Sequence, residues 1–254
     1  MWRGTIFTGI GDDGNRIAME LSRLYNGMKA ELFDPEHDDP QHHLHTLAYP
    51  STTDGIFEPA EQFIILAGQV HDPLWREARQ SLHESRAYLL WTFGIGHDQE
   101  IAPDVLAPFP NECLLLSDPA IADAANLSQM ALQIFFIHTP WNVSARGSLI
   151  GYDLADTKAM FAGKVTQVRQ MTSNRKHYRQ NFSKFLSENK ADLSRAQGIL
   201  MSFWGREDVL SIPKTNVLWE EAEHLLMPDT HKAFTFHILP EDGPDFIATL
   251  FLTF

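Results

Sequence analysis

The chain has 254 residues and a mass of 28.9 kDa, enough for one large domain or two small ones that each bury a core. Its 20 Lys and Arg against 33 Asp and Glu leave a formal charge of −13, a field that repels nucleic acid and anionic lipid, so neither nucleic acid nor direct membrane binding is expected. Cys113 is the only cysteine, which excludes an intrachain disulfide and a cysteine-built zinc site, and no run approaches the roughly 20 apolar residues of a membrane helix, so a cytoplasmic setting is expected.

Residues 5–8 form a short apolar run that ends in Gly9-Ile10-Gly11-Asp12-Asp13-Gly14-Asn15, and Ile17, Met19, Leu21, Leu24 and Tyr25 follow at helical spacing. This predicts strand, glycine loop, helix, with the helix stopping near Asn26-Gly27 and a second strand at 30–33. The stretch 34–53 is polar, broken by Pro35, Pro40 and Pro50, and reads as a loop. Its His37, His42, His43 and His45 lie near Asp34, Glu36, Asp38 and Asp39, but their spacing matches no defined metal motif, so no metal ligand is assigned. Continuous apolar runs at 62–67, 87–93 and 112–116 predict strands buried on both faces, with a helix opened by Asp72-Pro73 running to about Ser85. Residues 120–137 are apolar on most sides and predict one long buried helix.

The stretch 147–161 places Asp153 and Asp156 three residues apart where a loop enters a helix. As an N-cap, Asp153 would accept the Asp156 N–H and complement the positive end of that helix. Beyond it the pattern gives a helix at 153–162, a strand at 164–172, a helix within 175–195, a strand at 198–204, a helix at 215–227 and strands at 232–239 and 246–254. The alternation of Phe234, Phe236 and Ile238 predicts a sheet with one face buried and one more polar. The run from Arg169 to Lys184 gathers cations and reads as a solvated helix face. The expected organisation is an α/β, Rossmann-like subdomain at 1–119, a central helix at 120–140 and an α+β, mixed-sheet subdomain at 141–254.

This order resembles the FtsZ/tubulin superfamily, its bacterial FtsZ branch more than its eukaryotic one. Asp153-Leu154-Ala155-Asp156-Thr157-Lys158 is similar to that family's catalytic loop, Asn-x-Asp-Phe-Ala-Asp-Val, with Gly151 where the Asn would stand. Arg195-Ala196-Gln197-Gly198-Ile199-Leu200 is similar to its Gly-Ala-Arg-Gly-Val-Leu, and Trp204-Gly205-Arg206-Glu207-Asp208-Val209-Leu210 stands where the family has Gly-Gly-x-Asp-Leu. The resemblance implies GTP or GDP with Mg²⁺, held by Gly9, Gly11, Gly14, Asn15 and Gly68, with Asp123 or Asn126 reading the base. It also implies a site shared between subunits, in which Asp153 and Asp156 of the next copy polarise the attacking water. Partners would be a second copy, head to tail, or another FtsZ-like protein.

The sequence departs from that pattern in the phosphate loops. Asp12 and Asp13 put two negative charges in the first, and Ala67-Gly68-Gln69-Val70-His71-Asp72-Pro73 replaces the family's Gly-Gly-Gly-Thr-Gly. The sequence stops at Phe254, so no adaptor-docking tail of the FtsZ kind is expected. The expected function is therefore assembly or partner binding, with GTP binding and hydrolysis reduced or absent, and with either GTP or GDP and Mg²⁺ or no cofactor at all. The alternatives are an active GTPase with an in-trans loop, or a dinucleotide-binding protein that uses Gly9-x-Gly11-x-x-Gly14 with Asp34 as the ribose acid.

Overall fold

The computed structural model describes residues 4–11, 14, 62–84, 89–96, 107–117, 149–150, 154–239 and 244–254. The expected helix after the first glycine loop, the strand at 30–33, the histidine loop and the central helix at 120–137 lie outside these residues. The chain divides into two compact units, residues 1–134 with 161–165, and residues 135–160 with 166–254.

The first unit carries β1 (Gly4–Gly9), β2 (Gln62–Gln69), α1 (Pro73–Glu84), β3 (Leu89–Ile95) and β4 (Glu112–Ser117). The strands are parallel in the order β1-β2-β3-β4, with Gly9 opposite Ala67, Ala67 opposite Phe93 and Phe93 opposite Leu115. Leu66, Ala67, Phe93, Leu114, Leu115 and Leu116 are all buried, as strands covered on both faces require. β2 and β3 run two residues past their apolar runs because Gly68 pairs with Gly94 and Gln69 with Ile95, so the ladder continues where the side-chain signal has ended.

α1 turns Trp75, Ala78 and Arg79 inward. Arg79 meets Glu112, the first residue of β4, through two parallel bonds, Nε to Oε1 at 2.6 Å and Nη2 to Oε2 at 2.7 Å. Nη2 also donates to the Ala107 carbonyl at 3.0 Å, and the Phe109 N–H donates to Glu112 Oε2 at 2.9 Å. Both charges are withdrawn from water, and each is answered by more than one partner, the condition under which a buried pair is tolerated.

The second unit carries β5 (Leu149–Ile150), α2 (Leu154–Phe161), β6 (Lys164–Ser173), α3 (Tyr178–Glu188), α4 (Lys190–Leu193), β7 (Gly198–Arg206), α5 (Ile212–Glu223), β8 (His231–Leu239) and β9 (Phe246–Thr253). The order is β6-β9-β7-β8-β5, with β9 antiparallel to both of its neighbours and β7 parallel to β8. Phe182, Phe185 and Leu186 of α3 and Leu218 and Ala222 of α5 pack with Ile199, Met201, Phe203, Phe246, Ala248 and Leu250.

Three expectations are corrected here. The second face is more polar, as expected, but it is not exposed: every residue of β9, and every residue of β7 but Arg206, is buried, as interior strands covered on both faces require. The opposite face from the phenylalanines carries hydroxyls, and these pair with one another or with neighbours. Thr235 Oγ1 and Trp204 Nε1 donate to Ser202 Oγ, Gln170 Nε2 donates to Thr249 Oγ1, and Thr166 meets Thr253. Next, α5 begins at Ile212 rather than 215, with Pro213 in the first turn where a missing N–H costs nothing, and it ends at Glu223 rather than 227. Residues 224–226 tighten instead, with Leu225 N–H bonding Ala222 O and Leu226 N–H bonding Glu223 O. Finally, the helical stretch in 175–195 is two pieces, α3 and α4, joined at Asn189.

Candidate functional site

The loops that leave β1 and β2 meet at the C-terminal ends of the parallel strands, where open α/β sheets hold their ligands. The Ile10 N–H donates to the Ala67 carbonyl at 2.9 Å and ties the first loop to the second. Gly11 has φ +66°, a conformation that favours glycine, and a Cβ there would stand 3.2 Å from Asp72 Oδ2. A Cβ on Gly14 would run into the Ala67 carbonyl and stand 3.2 Å from the Gly9 carbonyl carbon. A Cβ on Gly68 would stand 2.5 Å from Trp75 Cδ1 and 3.2 Å from the Ile10 carbonyl oxygen. Four of the expected nucleotide residues, Gly9, Gly11, Gly14 and Gly68, are thus brought together. Asn15, Asp123 and Asp153 lie outside the described residues.

Residues 69–72 form a closed turn. Val70 N–H bonds Ile95 O at 3.1 Å, Asp72 N–H bonds Gln69 O at 3.0 Å, and Arg76 Nε donates to Val70 O at 3.1 Å. Asp72 is the N-cap of α1, with Pro73 as the first helical residue, and its Oδ1 accepts the Leu74 N–H at 2.9 Å. A helix N-terminus attracts anions through free N–H groups and the positive end of its dipole. At α1 a carboxylate of the chain itself already supplies that anion, and its other oxygen faces Gly11. Trp75 is fully buried over Gly68, and the Arg79 guanidinium lies 5.8 Å from its ring centroid.

Each of these glycines is explained by what the protein packs against it. Gly68 makes room for an indole, Gly14 for a carbonyl, Gly11 for a carboxylate. The residues that define this arrangement, Asp72, Trp75 and Arg76, were not among the expected site residues. Asp-Pro at a helix start did signal the cap, but the approach of Asp72 to Gly11 joins residues 61 apart in sequence and left no local trace. Asp156 is exposed in the first turn of α2, a place where a carboxylate favours the helix whatever else it does.

A second charged constellation holds the loops at one end of the second unit. Arg206 Nε meets Asp208 Oδ1 at 3.3 Å, Arg175 Nη1 meets Asp208 Oδ2 at 3.5 Å, and Arg206 Nη1 meets Asp245 Oδ1 at 3.7 Å. The Lys214 ammonium donates to the Asp208 carbonyl at 2.6 Å. Partial desolvation pushes the Asp208 carboxyl up, but Arg206, the hydrogen bond from Arg175 and the loop's own backbone outweigh it and hold the group below its usual range. Among the described residues no three His, Cys, Asp or Glu groups converge to hold a metal ion, and no helix is long and apolar enough to cross a membrane.

No protein-family model and no curated protein matches the sequence. Solved structures do. The likeness to CetZ from Methanosaeta thermophila strain DSM 6194 covers 100% of this chain and 87% of that one, with a TM-score of 0.56 at 13% identity. An FtsZ point mutant from M. jannaschii is similar over 76% of this chain with a TM-score of 0.47 at 12% identity, and the empty FtsZ dimer from the same organism over 76% with 0.47 at 13%. The chain spans 65% and 62% of those two FtsZ chains, less than two thirds of their length. Parallel β1 to β4, the mixed sheet of the second unit and the whole-chain likeness to CetZ together give this protein the tubulin/FtsZ-like fold.

Proposed function

We propose that the chain is a cytoplasmic assembly or partner-binding protein that keeps the tubulin/FtsZ-like fold while its nucleotide pocket has been taken over by its own side chains. One observation carries this reading: Asp72 caps α1 through Oδ1 and turns Oδ2 toward Gly11, so a negative charge stands where a phosphate would approach the backbone. Two unit charges of like sign at contact distance repel by about 4 kcal/mol at the effective dielectric of a protein surface, more than the roughly 0.3–2 kcal/mol that an anion gains from a helix dipole. Trp75 closes the space beside Gly68. The described residues therefore do not fit GTP, and no catalytic step is assigned. The same carboxylate counts against a pyrophosphate on the Gly9-x-Gly11-x-x-Gly14 loop, and so against a dinucleotide.

The function left to such a fold is association, with a second copy head to tail or with another FtsZ-like protein. Equilibrium binding of labelled GTP and GDP in the presence of Mg²⁺ tests the loss of the pocket, and the expected result is no saturable binding. Micromolar affinity would return the protein to the GTPases. In that case Asp153→Ala would abolish turnover and leave binding intact, as an in-trans role requires.

A further inference from the structure

We infer that the basic run on α3 and the turn before it is a side-to-side docking surface for the acidic surface of a second copy of this chain. This rests on the assembly reading above and adds a second contact to it, away from the loop of Asp153 and Asp156.

Residues 169–184 hold five cations, Arg169, Arg175, Lys176, Arg179 and Lys184, and no carboxylate, while the other 238 residues carry 15 cations against 33 anions, a net charge of −18. A quarter of the positive charge is therefore packed into one short segment of an otherwise acidic molecule. Three of the five are engaged within the protein. Arg169 lies 3.7 Å from Asp192, Arg175 3.5 Å from Asp208, and Lys184 3.6 Å from Glu188. Lys176 and Arg179 are exposed and, among the described residues, form no ion pair.

α3 buries Phe182, Phe185 and Leu186, so Gln180 and Lys184 fall on its outer side and Ser183 and Arg179 on its flank, while Lys176 is exposed in the turn before it. The two free cations stand beside the helix N-terminus, whose first turn contains no acid and whose N-cap His177 makes no side-chain bond. Positive charge at the positive end of a helix works against folding. A face arranged against its own helix, on a chain whose copies otherwise repel one another, is complementary to the remaining surface of that same chain.

Sedimentation of the wild-type chain and of the double variant Lys176→Glu/Arg179→Glu, each from low to high NaCl, tests the proposal. Wild type is expected to associate at low salt and to dissociate as salt rises, and the variant to associate about tenfold more weakly at low salt. Glutamates at these positions suit the helix dipole, so the variant's Tm should be equal or higher, and lost association cannot be laid to lost structure. Undiminished association of the variant would overturn the docking surface and leave the assembly reading standing. A wild type that stays monomeric at every salt concentration would also overturn the docking surface, and would leave the assembly reading to a different FtsZ-like partner alone. Sedimentation with phosphatidylserine vesicles is the third arm: vesicle binding that the variant loses while still self-associating would reassign the face to anionic lipid and overturn the proposal.

Discussion

Among the described residues, the first unit buries an ion pair, and the second buries a row of hydroxyls behind a phenylalanine core. Arg79 and Glu112 are joined by two bonds and pinned further by Ala107 and Phe109, and Asp72, Arg76 and Val70 close the neighbouring turn in the same way. Phe182, Phe203 and Phe246 meet at ring distances of 5.6 to 6.3 Å, while Ser202, Thr235 and Thr249 hydrogen-bond behind them. In the second unit, shape decides stability. In the first, paired charges are buried beside the apolar core and must be kept paired.

The largest expected effects break this contrast directly. Glu112→Ala leaves the Arg79 guanidinium buried without its carboxylate and should cost about 3–5 kcal/mol. Phe203→Ala leaves a cavity in the second unit at a similar cost of about 3–5 kcal/mol. Denaturant midpoints give both numbers, and second substitutions separate the causes. Arg79→Met added to Glu112→Ala should recover part of the loss, because the orphaned charge is gone, with the remainder set by the Phe109 N–H and Ala107 carbonyl that lose partners. Phe203→Leu should recover volume alone. If Arg79→Met recovers nothing, the pair is not what holds α1 against β4.

A smaller effect sharpens the same contrast at the site. Asp72→Ala should cost about 0.5–2 kcal/mol as a lost cap, and Asp72→Gly only a few tenths. Asp72→Gly also releases the Leu74 N–H and removes the charge beside Gly11. Inorganic phosphate should then raise the Tm of this variant and leave that of wild type unmoved. Equal response of the two proteins would show that Asp72 does not stand in for an anion.

Much of this was legible in the sequence. The hydrophobic pattern located every described strand but β5 to within a few residues, since a buried strand leaves an apolar signal; Leu149–Ile150 is too short to leave one. Gly9, Gly11, Gly14 and Gly68 were picked out as a group, and the structure brings them together. What the glycines accommodate was not legible, because Trp75 over Gly68 and Asp72 beside Gly11 are contacts between segments. Nor was the Arg79–Glu112 pair, whose members are 33 positions apart, although a carboxylate opening the apolar run of β4 was a hint that a cation would have to meet it. The burial of β7 and β9 on both faces was not legible from the alternation of Phe234, Phe236 and Ile238, because the bonds of Thr235 to Ser202 and of Gln170 to Thr249 join different strands.

The smallest effect concerns the hydroxyl side of that sheet. His237 packs against Trp204 with ring centroids 4.7 Å apart, and burial pushes its pKa below the ordinary 6.5. Its folded-state pKa being lower than its unfolded one, the unfolded chain takes up the proton first, so stability is full above pH 6.5 and declines as pH falls from there to the folded value. Asp208, depressed from 3.8 by its arginines, acts in a separate and more acid window, where stability is present above 3.8 and lost as pH falls through the folded value. Between pH 7.5 and 5 the two do not overlap. His237→Phe keeps a ring against Trp204 and removes the proton site, so its denaturation midpoint should fall less than that of wild type over this range. Parallel pH profiles would mean that the imidazole is as free to charge in the folded sheet as in the unfolded chain, and that the hydroxyl face is wetter than the packing of its threonines implies.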